Sequence, residues 1–407
     1  VFAIAPEKWD KAGWVFLLIF AVADFVSISV AQVAATGLGI CWIGRWIASG
    51  ERPQFSPLKW PIVLFALSSA VSALTSYNVA ESVRDSKDLS HFLIFFAAYD
   101  HLARHPGRVM TAVKAAVAGG AFAAIHGLGQ AAIRGIDIEN RISGFQSIYM
   151  TFAGLLMLGA ATALSAALFG KQGRQAGWLY AGAALMTAAI AVSLTRNAMV
   201  GLFAGALLLL ALRNPWAGAV APILAVIAIA LAPSHIHDRA LSVADIHNGT
   251  NKERLYLWSA GIRIARDHPF FGVGQNSFPL VYPKYRHPDV KEPNISHLHN
   301  NVIEIAVERG GVGLLAWMTI WAVALWNMGV AWRNAGRGEP DAMAAMGLAA
   351  ITAFLAAGMF EYNFGAAVMQ MMICFLMAAS LAAIAPLIRG VAEGRGVAPP
   401  IRDNGAS

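Results

Sequence analysis

The sequence predicts an all-α polytopic membrane protein with about twelve transmembrane helices and one large loop on the outer face. Three observations carry this. Hydrophobic residues make up 57% of the 407-residue chain and charged residues 13%, far from the average of a soluble domain. Apolar segments of roughly 20 residues, each long enough to cross a bilayer, recur from end to end. Lysine and arginine gather in alternate short connections, as they do on the cytoplasmic side of membrane proteins. The short alternating strands of a membrane β-barrel do not occur.

In chain order, the spans fall at 12–24, 27–48, 58–76, 84–103, 108–132, 147–169, 177–194, 197–213, 215–233, 310–332, 342–360 and 365–388. Asp24 and Ser27 mark a tight turn between the first two. With the N-terminus inside, the cytoplasmic connections carry Arg45, Arg52, Lys59, Arg104, Arg108, Lys171, Arg174, Arg213, Arg333 and Arg337, and the C-terminal tail adds Arg389, Arg395 and Arg402. Both ends are therefore expected in the cytoplasm. Arg84, Lys87, Arg134, Arg141 and Arg196 are exceptions on the outer side and call for a reason.

The resulting organisation is 1–233 for spans one to nine, 234–298 for the outer loop, 299–390 for a short outer helix and three further spans, and 391–407 for a disordered cytoplasmic tail rich in Gly, Pro and Arg. The loop is far longer than an ordinary connection. Within it, "KERLYLWSAGIRIARD" places Leu255, Trp258, Ile262 and Ala265 on one helical stripe with arginines beside it. A helix on the membrane rim or packed over the bundle is expected, broken by Asp267, Pro269, Gly272 and Gly274. No internal repeat appears, which weighs against a transporter built from repeated halves.

Cys41 and Cys374 both lie in apolar spans and no Cys/His metal spacing occurs, so neither a disulfide framework nor a metal or other cofactor is expected. The net charge of +7 is explained by cytoplasmic loops rather than by nucleic acid. The first apolar stretch, from Trp14, lacks a small-x-small exit and reads as a span, not a cleaved leader.

Chemistry concentrates on the outer face. In "NISHLHNNVIEIAVERGGVGLLAW", Ser296 reads as an N-cap that would put His299 and Asn300 in the first turn of a helix running to about Arg309. Anions are welcome at such a turn, and its field favours a neutral imidazole able to act as a base. Gly310, Gly311 and Gly313 permit a bend as the chain enters the membrane. Arg196 projects from the tight hairpin "TRN", where an unpaired charge is costly unless it serves a ligand. Arg84, Lys87 and His91 form a cationic stripe that Asp85 and Asp88 could neutralise. Arg254 opens the loop helix, and Arg141 in "ENRISGF" is a weaker case of the same kind. Glu304 and Glu308 are candidate acid/base groups that read rather as solvated on the short helix, and Glu361 and Asn363 read as caps of a short turn. Several arginines without a metal cluster point to a diphosphate held by guanidinium forks.

The run His299-Asn300, nine residues, Gly310, two residues, Gly313 resembles the signature of bacterial O-antigen ligases. "ERLYLWSAGIRIARDHPFFGVGQNSF" is similar to the shared loop region of the wider ligase/polymerase superfamily. The resemblance implies a membrane-embedded, metal-independent, inverting glycosyltransferase of the GT-C type in the bacterial inner membrane, with its site facing the periplasm. It would move O-antigen glycan from undecaprenyl diphosphate to a sugar hydroxyl of the lipid A core, amid membrane lipids. On this resemblance His299 would be the catalytic base or hydroxyl-positioning group, and Arg196 and Arg254 would bind the diphosphate. Arg84 and Lys87 are assigned the same role from charge placement, with Asn300, His297 and Arg141 in support. The spans and loop helix would line a lateral groove for the isoprenoid tail. An O-antigen polymerase or a protein O-oligosaccharyltransferase would use similar chemistry on another acceptor. A transporter of lipid-linked glycan is the alternative from a different class.

Overall fold

The computed structural model describes residues 4–170, 174–242, 245, 249–290, 295–335 and 339–392. Most of the expected tail, from 393 on, lies outside the described residues, as do Lys171, Arg337, Arg395 and Arg402. Among those described, every regular element is helical. In order these are α1 (Pro6–Ala23), α2 (Ile28–Ser49), α3 (Lys59–Leu74), α4 (Val79–Asp85), α5 (Phe92–Arg104), α6 (Val109–Arg134), α7 (Tyr149–Phe169) and α8 (Arg174–Val192). Then come α9 (Arg196–Arg213), α10 (Pro215–Ala230), α11 (Ser234–Leu241), α12 (Gly249–Asp267), α13 (Phe278–Val281), α14 (Asn301–Asn334), α15 (Glu339–Gly358) and α16 (Ala367–Ala392).

Among the described residues, seven helices are long and apolar enough to cross a membrane: α2, α6, α7, α9, α14, α15 and α16. Three shorter apolar helices, α3, α8 and α10, stand beside them. The other two expected spans coincide with α1, whose first turns hold Glu7, Lys8, Asp10 and Lys11, and with α5, which has only 13 residues. The segment 84–103 is not one helix. α4 ends at Asp85, and a 3-10 stretch, Ser86–His91, leads into α5.

The centre of the bundle is built from α7, α15 and α16, whose apolar stretches are mostly buried. They bury small residues, with Gly154, Gly159, Ala160 and Ala163 on α7 and Ala345, Gly347, Ala349 and Ala353 on α15. Backbones can then approach closely where no water is available to drive association. The turn expected at Asp24 and Ser27 separates α1 from α2, with the Ser27 hydroxyl accepting the Val30 N–H at 3.5 Å.

Residues 234–298 contain α11, α12 and α13, folded over one end of the bundle. The buried face of α12 carries Leu257, Ala260, Gly261 and Ile264, packed on Leu298, Ile303, Val307 and Val273. This corrects the expected stripe, since Leu255 and Ile262 are 48% and 44% exposed. The helix has apolar residues on more than one side. Its docking face is the one where Ala260 and Gly261 admit Leu298 and Ile303. Burying Leu257 and Ile264 contributes about 1.5–3 kcal/mol each.

The stretch after α12 is held to α14 through backbone. Val273 N–H donates to Val307 O and Gly274 N–H to Glu308 O, both at 2.9 Å, while Gly311 N–H donates to Pro269 O at 2.7 Å. α14 kinks at Gly310, whose φ of 64° and ψ of −171° divide a short outer helix from the membrane span. A Cβ at Gly310 would lie 2.3 Å from the Phe270 carbonyl group, and one at Gly272 (φ 70°) 2.4 Å from Val307 O. Both glycines let two backbones touch.

Candidate active site

Four segments meet at this end of the bundle: 138–149, which runs into α7, 193–197, which runs into α9, 295–300 and 359–363. The third turns on His299, which adopts a left-handed φ of 50°. The helix that follows is capped by Asn300, not Ser296: Asn300 Oδ1 accepts the Ile303 N–H at 3.0 Å. His299 therefore sits ahead of the first turn rather than within it. The reason is tertiary, because Asn300 Nδ2 also donates to Met359 O at 2.9 Å and ties the loop to 359–363. Asn301 reinforces the tie, donating to Asn363 Oδ1 at 2.6 Å and accepting from Phe364 N–H at 3.1 Å.

Glu304 and Glu308 are buried, 1% and 4% exposed, against the expectation of solvated carboxylates. Glu304 Oε2 accepts the Leu298 N–H at 2.5 Å and so fixes the backbone beside His299. Glu308 accepts from Asn276 N–H at 2.9 Å, from Arg309 at 2.6 Å and from the Tyr362 hydroxyl at 3.3 Å. Neither is solvated, because Glu304 faces the backbone of the 295–300 loop and Glu308 faces the 268–278 and 359–363 segments.

The histidines converge on Glu361. His299 Nδ1 lies 3.0 Å from both carboxylate oxygens, and His297 Nε2 lies 3.0 Å from Oε1. A carboxylate accepts only, so each of these nitrogens carries the proton. In the neutral imidazole, Nε2 of His299 then keeps the lone pair. Burial opposes ionisation of Glu361, yet the hydrogen bonds from His297 and His299 hold its carboxyl well below the usual carboxylate range. Glu361 does more than cap a turn. Its sequence signal was weak because only the fold brings it across 62 residues to His299.

Facing the histidines is a cavity of about 450 Å³ lined by Arg141, Arg196, Arg239 and Arg254 together with Tyr149, Glu253, His297 and His299. Arg196 is 6% exposed and donates to Ser242 O at 2.7 Å. Arg239 donates to Leu194 O at 3.0 Å, holding another strained residue with a φ of 55°. Arg141 donates to Ile138 O at 3.0 Å and lies 4.3 Å from the Tyr149 ring centre. Arg254 approaches Glu361 Oε2 at 3.8 Å, too far for a hydrogen bond, and its buried Nε has no partner. Burial, followed by the nearby charges of Arg196 and Arg141, pulls the Arg239 guanidinium down to about 10. Burial also lowers Arg254, with Glu361 opposing. This cluster repels itself and would be relieved by an anion.

The sequence singled out Arg196, Arg254, Arg141, His297 and His299, and all line this one cavity. Arg84 and Lys87 do not: Arg84 is 74% exposed and pairs with Glu81 at 3.2 Å, and Lys87 is exposed. Arg239 escaped notice, although it shares with Arg196 the signal of a cation in a face poor in positive charge. His297, His299 and Glu361 offer three ligand atoms within 4.8 Å of one another. The spacing suits a cation. The surrounding charge does not, because Arg254 lies against the same carboxylate and three further guanidiniums line the cavity.

A smaller cavity of about 260 Å³ adjoins the first through Met150, Asn197 and His297. Its other walls include Gly154, Ala357, Ala366 and Met369, so it is mainly apolar.

Fold and site together define a polytopic α-helical membrane protein with an arginine-lined, anion-receptive cavity beside a carboxylate–histidine pair. Residues 181–318 match the family Wzy_C, described as O-antigen ligase, which places that segment in the O-antigen ligase superfamily. The matched stretch contains Arg196, Arg239, Arg254, His297 and His299, while Glu361 and Arg141 lie outside it. No curated protein matches the chain.

Proposed function

We propose that the protein is an O-antigen ligase, transferring glycan from a polyprenyl diphosphate to a sugar hydroxyl of the lipid A core on the periplasmic side of the bacterial inner membrane. The observation that carries this reading is the pairing of His299 with Glu361 at the mouth of a cavity lined by four arginines. The diphosphate occupies the arginine cavity, and the first isoprene units lie in the apolar cavity beside Met150 and Met369.

The acceptor hydroxyl attacks the anomeric carbon from the face opposite the diphosphate, inverting it. As the new C–O bond forms, the hydroxyl proton passes to His299 Nε2. The electron pair of the breaking bond goes to the diphosphate oxygen. A sugar hydroxyl is too weak an acid to ionise beforehand, so acceptance during bond formation is what a neutral imidazole contributes, about 10²–10⁴-fold. Glu361 holds the productive tautomer and steadies the imidazolium that results. Charge grows on the leaving diphosphate, and fixed guanidiniums stabilise that state more than the ground state, each at about 10²–10³-fold.

The test is transfer by the purified full chain from undecaprenyl-diphosphate-linked glycan to lipid A core, with and without chelator. The expected result is transfer that survives chelation and collapses in His299→Ala and Arg254→Ala. If wild type leaves the core lipid unmodified but extends lipid-linked glycan, the acceptor is the growing chain and the protein is a polymerase.

A further inference from the structure

A further cavity lies at the opposite end of the bundle from the histidines. It has a volume of about 570 Å³ and sits where α3 begins and α16 ends. Lys59 and Arg389 supply its charge, Tyr99 and Gln54 its polar wall, and Ala385 and Ile388 its apolar wall. Among the described residues no carboxylate pairs with Lys59 or Arg389. The Lys59 ammonium instead lies 4.4 Å from the Phe55 ring centre and 4.9 Å from that of Trp60.

Tyr99, only 6% exposed, contributes to the cavity lining beside these two cations. The rim is firmly built: Asp100 accepts from Gln54 N–H at 2.6 Å and from Trp42 at 3.1 Å, while Arg104 donates to Arg52 O at 2.9 Å. Trp60, 70% exposed, stands at the lip as interfacial aromatics do at the headgroup level.

We propose that this cavity binds a phosphate-bearing amphiphile, an anionic phospholipid of the leaflet opposite the arginine site. Lys59, Arg389 and the Tyr99 hydroxyl hold the phosphate, and an acyl chain runs along Ala385 and Ile388. Two cations without a carboxylate partner, a tyrosine in the lining and an apolar wall match a lipid headgroup better than a free ion, which would need no apolar wall.

The experiment is native mass spectrometry of the full chain released from nanodiscs of equal phosphatidylglycerol and phosphatidylcholine. Wild type is expected to retain phosphatidylglycerol selectively. Lys59→Gln combined with Arg389→Gln should lower that preference on the order of 30-fold, from the usual attraction of two cations near an anionic surface. Tyr99→Phe removes a hydroxyl and no charge, so it is read independently of whether the double variant folds, and should lower the preference roughly fivefold. Lys11→Gln, an exposed charge elsewhere, should leave it unchanged. Inorganic phosphate that fails to displace the lipid assigns the site to the headgroup, and displacement assigns it to a free phosphate. No selectivity in wild type, or undiminished selectivity in Tyr99→Phe, overturns the proposal.

Discussion

Glu361 and His299, 62 residues apart in the chain, meet at 3.0 Å through Nδ1, which leaves Nε2 as the acceptor of the neutral imidazole. Glu361→Gln should keep the packing and lose the charge. Turnover is expected to fall on the order of 10²-fold or more with the donor KM little changed. The pH dependence of stability has a definite sign. The folded carboxyl lies below its ordinary value of 4.5, so its contribution is fully present above that value and is lost as pH falls toward the folded one. The melting-temperature gap between wild type and Glu361→Gln should therefore be widest near neutrality and close on acidification below about 4.5.

Glu304 acts on the same histidine from behind by accepting the Leu298 N–H. Glu304→Ala strands that donor inside the protein, at a cost of about 1–3 kcal/mol. Reduced thermal stability together with reduced kcat, and a donor KM near wild type, would identify it as a positioning residue. An effect on KM alone would contradict that role.

Arg239 and Arg84 separate a cavity cation from a surface one. Arg239→Gln should reduce transfer by about 10²-fold through lost charge on the leaving group. Arg84→Ala breaks only an exposed pair with Glu81 and should leave transfer unchanged, with a stability change of about 0–1 kcal/mol. Transfer rates of the two variants under identical conditions check both.

Gly310→Ala should destabilise by about 1–3 kcal/mol or more, since a left-handed residue with a side chain is strained and its Cβ would meet the Phe270 carbonyl. Chemical or thermal unfolding in detergent measures this. Wild-type stability would mean that the loop and the kinked helix are not locked together.

The all-helical membrane character was legible because hydrophobic length is a local property, and so was the bend at Gly310. His299 and Arg196 stood out as polar groups at the edges of apolar runs. What stayed hidden depends on distant contacts. Glu361 looked like a turn cap until the fold set it against two histidines, and Glu304 looked solvated until the loop folded over it. The α12 stripe misled because the partner surface, Leu298 and Ile303, selects among its apolar faces. Arg84 and Lys87 were grouped with the site by charge alone, and charge does not report direction.

The proposed mechanism divides the labour, with arginines holding the diphosphate and His299 taking the proton. Its most direct test is to measure, on the same preparations, equilibrium binding of the polyprenyl-diphosphate donor and single-turnover transfer for wild type, His299→Ala and Arg254→Ala. Donor binding should be nearly unchanged in His299→Ala while transfer drops by about 10²-fold or more. In Arg254→Ala donor binding should itself weaken, by about tenfold or more. A His299→Ala protein that transfers glycan at the wild-type rate would contradict the account.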